Sequence, residues 1–308
     1  AILEDAYGPS WHEVPSVDGR SWGVAALTPS FLFTPSILAL IDAGVPLRGV
    51  GHITGGGIPS KFGRVLKKSG LGARLDALFP PEAEVEAVLR DIRLCRETGC
   101  ATHIQHISCA GSVAALRAAR AEGLPVTGEA SPHHLAIAAE EIPGDDGHYR
   151  MNPPLGNHDD VRAIRDGVLD GTLTLFATDH APHTAETKTR GFLKAAFGII
   201  GLETAVGVTW EIMVLKEGLP PLAWVARWTT GPAALLGRPA PSLAAGVLAD
   251  LVVIDPRTPW RVAPDSFRSL SRNTPFAGWT LHARPVLTVC EGRVTFTAPA
   301  LAALEGQT

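Results

Sequence analysis

Cysteine is scarce in this chain of 308 residues: only four are present, and no two have Cys-x-x-Cys spacing. A disulfide-rich secreted scaffold is therefore excluded, and we expect reduced thiols in a cytoplasmic protein. The N-terminus has no basic segment followed by a long apolar run, and the chain begins with Ala1 rather than Met. It lacks the pattern of a signal peptide, and we expect it to begin inside a longer chain.

An excess of charge of one sign is also missing, because 27 Lys and Arg residues face 31 Asp and Glu residues, for a formal net charge of −4. Without a basic surface to gather phosphates, nucleic acid is not an expected partner. Apolar residues make up 45% of the chain, but their runs are too short and interrupted to span a bilayer. The composition predicts a soluble globular protein without a membrane segment.

The sequence does contain an alternation of helical and strand patterns. Helices are predicted over 82–98, 112–122, 159–169, 202–217 and 222–228, and strands over 101–107, 124–130 and 173–178. Such alternation favours parallel strands with right-handed crossovers, as in an open α/β sheet or a barrel. From residue 249 two β-branched runs follow, the second predicted to be a hairpin that turns at Glu291-Gly292.

Polar residues that can bind metal lie at or directly after the carboxyl ends of the three predicted strands. They are His103 and His106, then His133 and His134, then Asp179, His180 and His183. Barrels of the α/β class place their catalytic groups at the carboxyl ends of their strands. Neutral imidazoles combined with a carboxylate suit zinc, which acidifies a bound water and polarises a carbonyl. The pattern therefore predicts a zinc site at these strand ends.

Six motifs between residues 81 and 298 resemble those of dihydroorotases of the long bacterial type, in the amidohydrolase superfamily. They occur in family order at residues 103–108, 131–135, 149–155, 177–183, 197–205 and 273–276. The resemblance implies an α/β fold with a partial TIM-type (β/α) barrel over 81–238 and a small C-terminal β appendage and tail over 239–308. It implies a zinc-dependent cyclic amide hydrolase that interconverts dihydroorotate and carbamoyl aspartate in pyrimidine biosynthesis. It also implies a homo-oligomer, or association with aspartate carbamoyltransferase.

The same resemblance assigns roles to individual residues. His106 and Asp179 would bind zinc, and Asp179 would also be the general base that shuttles the proton. Asn152 and the backbone of Gly198 would contact the pyrimidine ring. His183 would contact the substrate carboxylate. One departure is Ala196, where the family usually has Pro before Phe-Gly.

A larger departure is that none of the 11 histidines forms a His-x-His pair, from which the family takes two zinc ligands. The metal site is therefore incomplete as written, and a catalytically inactive dihydroorotase-like subunit or fragment is an open alternative. A predicted strand over 47–53 places His52 where a replacement ligand could lie. Residues 1–80 instead resemble the carboxyl-terminal domain of aminoimidazole ribonucleotide synthetase through residues 26–29, 51–59 and 70–76. A purine-synthetase-like remnant is thus a third alternative.

Substitution of His52 separates these alternatives. If His52 joins His106 and Asp179 as a ligand, His52→Ala is expected to weaken zinc binding at least tenfold, about 1.4 kcal/mol, as for a lost ligand. Titration of both proteins with zinc against a competing chelator measures the change. Equal affinities would rule out a His52 site.

Overall fold

The computed structural model describes residues 81–299, so the predicted segment 1–80 and His52 lie outside the described residues. The helices are α1 (Pro81–Thr98), α2 (Ala110–Ala121), α3 (Pro132–Ala136), α4 (His158–Leu169), α5 (Ala185–Lys188), α6 (Ala205–Thr209), α7 (Pro221–Trp228) and α8 (Thr230–Leu235). The strands are β1 (Thr102–Ile104), β2 (Val126–Ala130), β3 (Leu175–Phe176), β4 (Leu251–Asp255), β5 (Trp260–Arg261), β6 (Thr280–Leu281), β7 (Arg284–Cys290) and β8 (Arg293–Thr297). None of the helices in this range is both long and apolar enough to cross a membrane.

Strand β2 is the centre of a parallel sheet whose order is β1-β2-β3. Thr102 pairs with Val126 on one side, and Ala130 pairs with Phe176 on the other. The predicted parallel arrangement is therefore confirmed for these three strands. Strands β1 and β3 are shorter than predicted. His106, with a φ angle of 36°, leaves the extended conformation inside the predicted strand 101–107, and Asp179, with a φ angle of 46°, does so directly after the predicted strand 173–178.

The helices that cover this sheet end where the sequence predicts. Helix α1 buries Val88, Ile92 and Cys95, which share one face, and α2 buries Val113, Leu116 and Ala119 in the same way. At the start of α4 the Asn157 side chain accepts hydrogen bonds from the backbone N–H groups of Asp159 and Asp160 at 2.8 and 3.0 Å. The predictions over 82–98, 112–122 and 159–169 are confirmed to within two residues.

The helix predicted over 202–217 is wrong in its geometry. Helix α6 stops at Thr209, and a π-helical segment, Trp210–Lys216, continues the chain. The Thr209 hydroxyl donates to the Ala205 carbonyl at 2.8 Å and accepts from the indole N–H groups of Trp224 and Trp228 at 3.0 and 3.3 Å. The two tryptophans lie in helix α7, so the local periodicity of residues 202–217 could not reveal the change in helical winding.

Residues beyond 250 form antiparallel pairs. Strand β7 lies between β4 and β8, and β5 pairs with β6. The predicted hairpin is confirmed, because β7 and β8 are joined by Glu291 and Gly292 with φ angles of 51° and 76°, the left-handed pair that tight hairpin turns require. The division into a partial barrel over 81–238 and an appendage over 239–308 stays a prediction.

Replacing Thr209 tests the junction between α6 and the π-helical segment. Thr209→Val would leave two indole donors without their acceptor, so we expect the free energy of unfolding to fall by about 1–3 kcal/mol. The matched control is Thr189→Val, whose exposed hydroxyl makes the same bond to the carbonyl four residues earlier; we expect less than about 0.5 kcal/mol there. Equal losses in urea unfolding would contradict the assigned role of Thr209.

Candidate active site

The two residues predicted as zinc ligands follow the outer strands of the parallel sheet. His106 comes after β1 and Asp179 after β3, and both have the left-handed backbone conformation that residues other than glycine rarely adopt. Strained backbone of this kind persists where the surroundings enforce it, and it concentrates at functional sites. The parallel strands bring their carboxyl ends to one edge of the sheet, and the two residues lie there.

His133 lies between them in the sheet order, at the start of α3 directly after β2. Its side chain is 1% exposed, and its Nε2 atom lies 3.8 Å from Oδ2 of Asp179. Neither His133 Nε2 nor His106 Nδ1, both buried, has a hydrogen-bond partner among the described residues. Buried polar atoms are normally paired, so these two unpaired imidazole nitrogens, one of them 3.8 Å from a carboxylate, indicate positions for further ligands.

Glu129, on strand β2, is a member of this group that the sequence reasoning missed. Its carboxylate lies 3.0 Å from Nε2 of His103 and accepts the backbone N–H of His106 at 3.2 Å. The other ring nitrogen of His103 contacts the hydroxyl of Thr127 at 2.8 Å. Glu129 therefore holds the turn at His106, and the signal available in the sequence was a carboxylate inside an otherwise buried strand.

The donor types of this group fit a zinc ion, since zinc binds imidazole nitrogen and carboxylate oxygen. The number of donors is smaller than a catalytic site needs, because no three His, Cys, Asp or Glu side chains within residues 81–299 are arranged to hold an ion together. His106 and Asp179 are thus compatible with the predicted ligand role. A complete set requires a donor from beyond the described range or a change in side-chain position.

Burial shapes the protonation of these groups. Desolvation raises the pKa of Asp179, with a smaller lowering by His106 and a smaller raising by Glu129. Burial also lowers the pKa of His133 well below its ordinary value, with His134 and His106 adding to the effect. At neutral pH His133 is therefore an uncharged ring, the form that binds metal.

The predicted substrate contacts lie on the loops that follow β3 and the 3-10 turn Gly147–Tyr149. Asn152 is exposed. His183 Nε2 lies 2.6 Å from the Phe197 carbonyl and therefore carries the proton, which leaves Nδ1 able to donate only when the ring is protonated. The Gly198 N–H donates to the Arg150 carbonyl at 2.9 Å, so that donor is already used within the protein. These three roles stay predictions.

Asn273 and His180 join the same loops. The Asn273 side chain donates to the carbonyls of Ala181 and Gly198 at 2.9 and 3.1 Å and accepts the N–H of His183 at 3.2 Å. His180 Nδ1 accepts the N–H of Gly201 at 3.1 Å. Both side chains therefore hold loop backbone, and Asn273 does so for two of the predicted contact residues at once.

The buried ring of His134 makes the fold acid-sensitive. Its Nε2 donates to the Pro153 carbonyl at 3.1 Å, and its Nδ1 accepts from the Ser131 hydroxyl at the same distance, which requires the neutral ring. Burial lowers its pKa to about 4. An unfolded histidine titrates near pH 6.5, so the stability due to His134 is full above that pH and is lost as the pH falls towards about 4.

We therefore expect His134→Gln to flatten the fall in unfolding free energy between about pH 6.5 and 4, where His134 accounts for about 3 kcal/mol. Urea unfolding at several pH values, in the presence of a chelator, measures this slope. The exposed His158→Gln is the control and should retain the slope of the parent. Parallel curves for all three proteins would show that His134 is not the titrating group.

Comparison with known proteins places this arrangement in a family. The family model described as the amidohydrolase family matches residues 66–295. The chain is 44% identical over 219 residues to a dihydroorotase of Syntrophotalea carbinolica and 46% identical over 216 residues to one of Pelotomaculum thermopropionicum. These alignments cover 71% and 70% of this chain and 51% of each relative, so the chain spans about half the length of the curated relatives it matches.

Solved structures agree with the fold. A dihydropyrimidinase from Brevibacillus agri has a TM-score of 0.66 and 27% identity, over 71% of this chain and 49% of its own. An L-hydantoinase from Arthrobacter aurescens has a TM-score of 0.64 and 29% identity, over 69% of this chain and 48% of the hydantoinase.

The synthetase-like resemblance of residues 1–80 finds no support, and the family match itself reaches into that segment from residue 66. The chain belongs to the amidohydrolase family and has its TIM-barrel-type fold.

Proposed function

We propose that this chain takes part in zinc-dependent cyclic amide hydrolysis, interconverting dihydroorotate and carbamoyl aspartate in pyrimidine biosynthesis in the cytoplasm. The observation that carries the proposal is the pair formed by His133 and Asp179, 3.8 Å apart at the carboxyl edge of the sheet, together with the unpaired Nδ1 of His106 at the same edge. The names of the two relatives, both dihydroorotases, support the substrate.

Asp179 is the proposed proton carrier of the reaction. Its side chain is about one-quarter exposed, so it reaches the mouth of the site while burial raises its pKa. A carboxylate of this kind accepts a proton from the attacking water and returns it to the ring nitrogen that leaves. A zinc ion, when bound by His106 and Asp179, would acidify that water and polarise the amide carbonyl.

Substrate binding falls to the loops that surround this edge. We propose that Asn152 contacts the pyrimidine ring and that His183 contacts the substrate carboxylate. The backbone of Gly198 would contact the ring by packing against it, because its N–H and carbonyl groups are already hydrogen-bonded within the protein. Because Nε2 of His183 donates to Phe197, the carboxylate would be met by Nδ1 of a protonated ring.

A second candidate is a catalytically inactive dihydroorotase-like subunit, either in a homo-oligomer or with aspartate carbamoyltransferase as its partner. It is favoured by the absence of any three-donor metal group within residues 81–299. A chain of this kind would retain the loops and the fold without turnover. Zinc content and activity of the purified chain distinguish the two candidates.

Replacing Asp179 tests the proposed reaction. We expect the parent to hold at most one zinc ion per chain and to turn over dihydroorotate, and Asp179→Asn to lose at least about 100-fold in activity while remaining folded, because an amide cannot carry the proton. The control is Asp166→Asn, an exposed aspartate on α4. Elemental analysis and assays in both reaction directions are the measurements.

The possible results distinguish the two candidate functions and test the role of Asp179. An inactive parent with zinc supplied supports the inactive subunit. Activity of Asp179→Asn within about tenfold of the parent removes Asp179 from the mechanism. Two zinc ions per chain at full occupancy would show that the chain completes its metal site in a way that these residues do not explain.

A further inference from the structure

Lys188 is a charged residue with a fully buried side chain. It is the last residue of α5, on the loop that follows β3, and its side chain is 0% exposed. Its Nζ atom donates three hydrogen bonds, to the carbonyls of Arg150 at 3.1 Å, Ala196 at 2.9 Å and Gly198 at 2.9 Å. An ammonium group has three donors, so each one has found a backbone acceptor.

The charge of Lys188 is held by carbonyl groups rather than by an ion pair. None of the ion pairs formed within residues 81–299 includes Lys188. Burial, with a further contribution from Arg150 and a smaller opposing one from Asp146, lowers its pKa to about 8, so the ammonium form persists at neutral pH. Removing a charge from water is costly, and a buried lysine without a carboxylate survives only where its hydrogen bonds are complete.

The three carbonyls belong to the two segments that carry proposed substrate contacts. Arg150 lies two residues before Asn152, and Gly198 is itself a proposed contact. The segments are also joined directly, because the Gly198 N–H donates to the Arg150 carbonyl at 2.9 Å. Nζ of Lys188 therefore binds at a junction that already links the two.

The side chain of Arg150 completes this junction from the other side. Its guanidinium donates to the Ala195 carbonyl at 2.9 Å and lies over the Phe197 ring, with Cζ 4.1 Å from the ring centroid. Gly198 has a φ angle of 110°, and a Cβ atom there would collide with Cβ of Ala181. The backbone at Gly198 is thus fixed by contacts on several sides, and its carbonyl accepts two buried hydrogen bonds, one from Lys188 and one from Asn273.

We propose that Lys188 is a positioning residue for substrate binding, whose ammonium group fixes the Asn152 segment against the Gly198 segment. This inference rests on the proposed function for the identity of the substrate. Lys188 does not touch the reacting atoms in this arrangement. It acts through the two backbone segments, so its loss should affect substrate affinity more than the chemical step.

The test compares Lys188→Met with Lys194→Met, the same substitution at an exposed lysine of the same loop. We expect Lys188→Met to raise the KM for dihydroorotate at least about tenfold, the effect of one lost hydrogen bond, with kcat within about threefold of the parent. We also expect exchange of the Gly198 amide hydrogen to be at least about tenfold faster, while the Ala177 amide, which bonds to Ala130 in the sheet, is unchanged.

Lys188→Gln is the second variant, because it keeps two N–H donors if the Met variant does not fold. Its KM and its Gly198 exchange rate are expected to lie between those of the parent and Lys188→Met. Circular dichroism first establishes that each protein is folded. A lowered melting temperature with unchanged KM and unchanged Gly198 exchange would show that Lys188 serves stability alone and would overturn the proposal.

The two readouts also separate this inference from the proposed function. Exchange of the Gly198 amide is measured without substrate, so it reports on Lys188 even in a chain that has no turnover. An inactive parent counts against the proposed function. Exchange at Gly198 that is equal in the Lys188→Met and Lys194→Met proteins counts against the positioning role itself.

Discussion

Parallel pairing of β2 with both of its neighbours is the constraint on which the candidate site depends. Because β1, β2 and β3 run in the same direction, the residues after them, His106, His133 and Asp179, meet at one edge. His106 and Asp179, which follow two of the three strands, have left-handed backbone conformations. The chain thus leaves the extended conformation where its polar side chains converge.

Two buried charges support this edge in different ways. Glu129 lies within the sheet and receives the N–H of His106, so it fixes the turn that carries a candidate ligand. Lys188 lies on the loop that follows β3, and its ammonium group donates to backbone carbonyl oxygens rather than to a carboxylate. Negative charge is therefore placed against the candidate metal group, and positive charge beneath the loops proposed to hold an anionic substrate.

The sequence was sufficient to predict features that depend on local pattern. Helix α1, with its stripe of Val88 and Ile92, and the hairpin at Glu291-Gly292 have signals within a few residues, and both are confirmed. The sequence-level resemblance also identified the family. The ligand and contact roles of His106, Asp179, Asn152, His183 and Gly198 stay predictions, because each role depends on a bound metal ion or substrate.

Features that depend on distant contacts were not predictable. Lys188 lies in a run of polar residues that has the pattern of a solvated helix. In the fold its ammonium group is instead hydrogen-bonded to the carbonyls of residues 150, 196 and 198, which are distant in sequence or lie on the following loop. The π-helical winding after Thr209 depends on indoles from another helix. His106 and Asp179 have left-handed backbone conformations although neither is a glycine, so the sequence alone gave no sign of these conformations.

The hydrogen bond from the Gly198 N–H to the Arg150 carbonyl limits how far the two loops can change independently of each other. Each loop is a structural template for the other, so a change in the length or backbone path of one alters the acceptor or donor presented to its neighbour. A loop taken from a relative would therefore keep its backbone path here only when both segments are transferred together. Sequence changes in the two segments are expected to have non-additive effects on loop conformation.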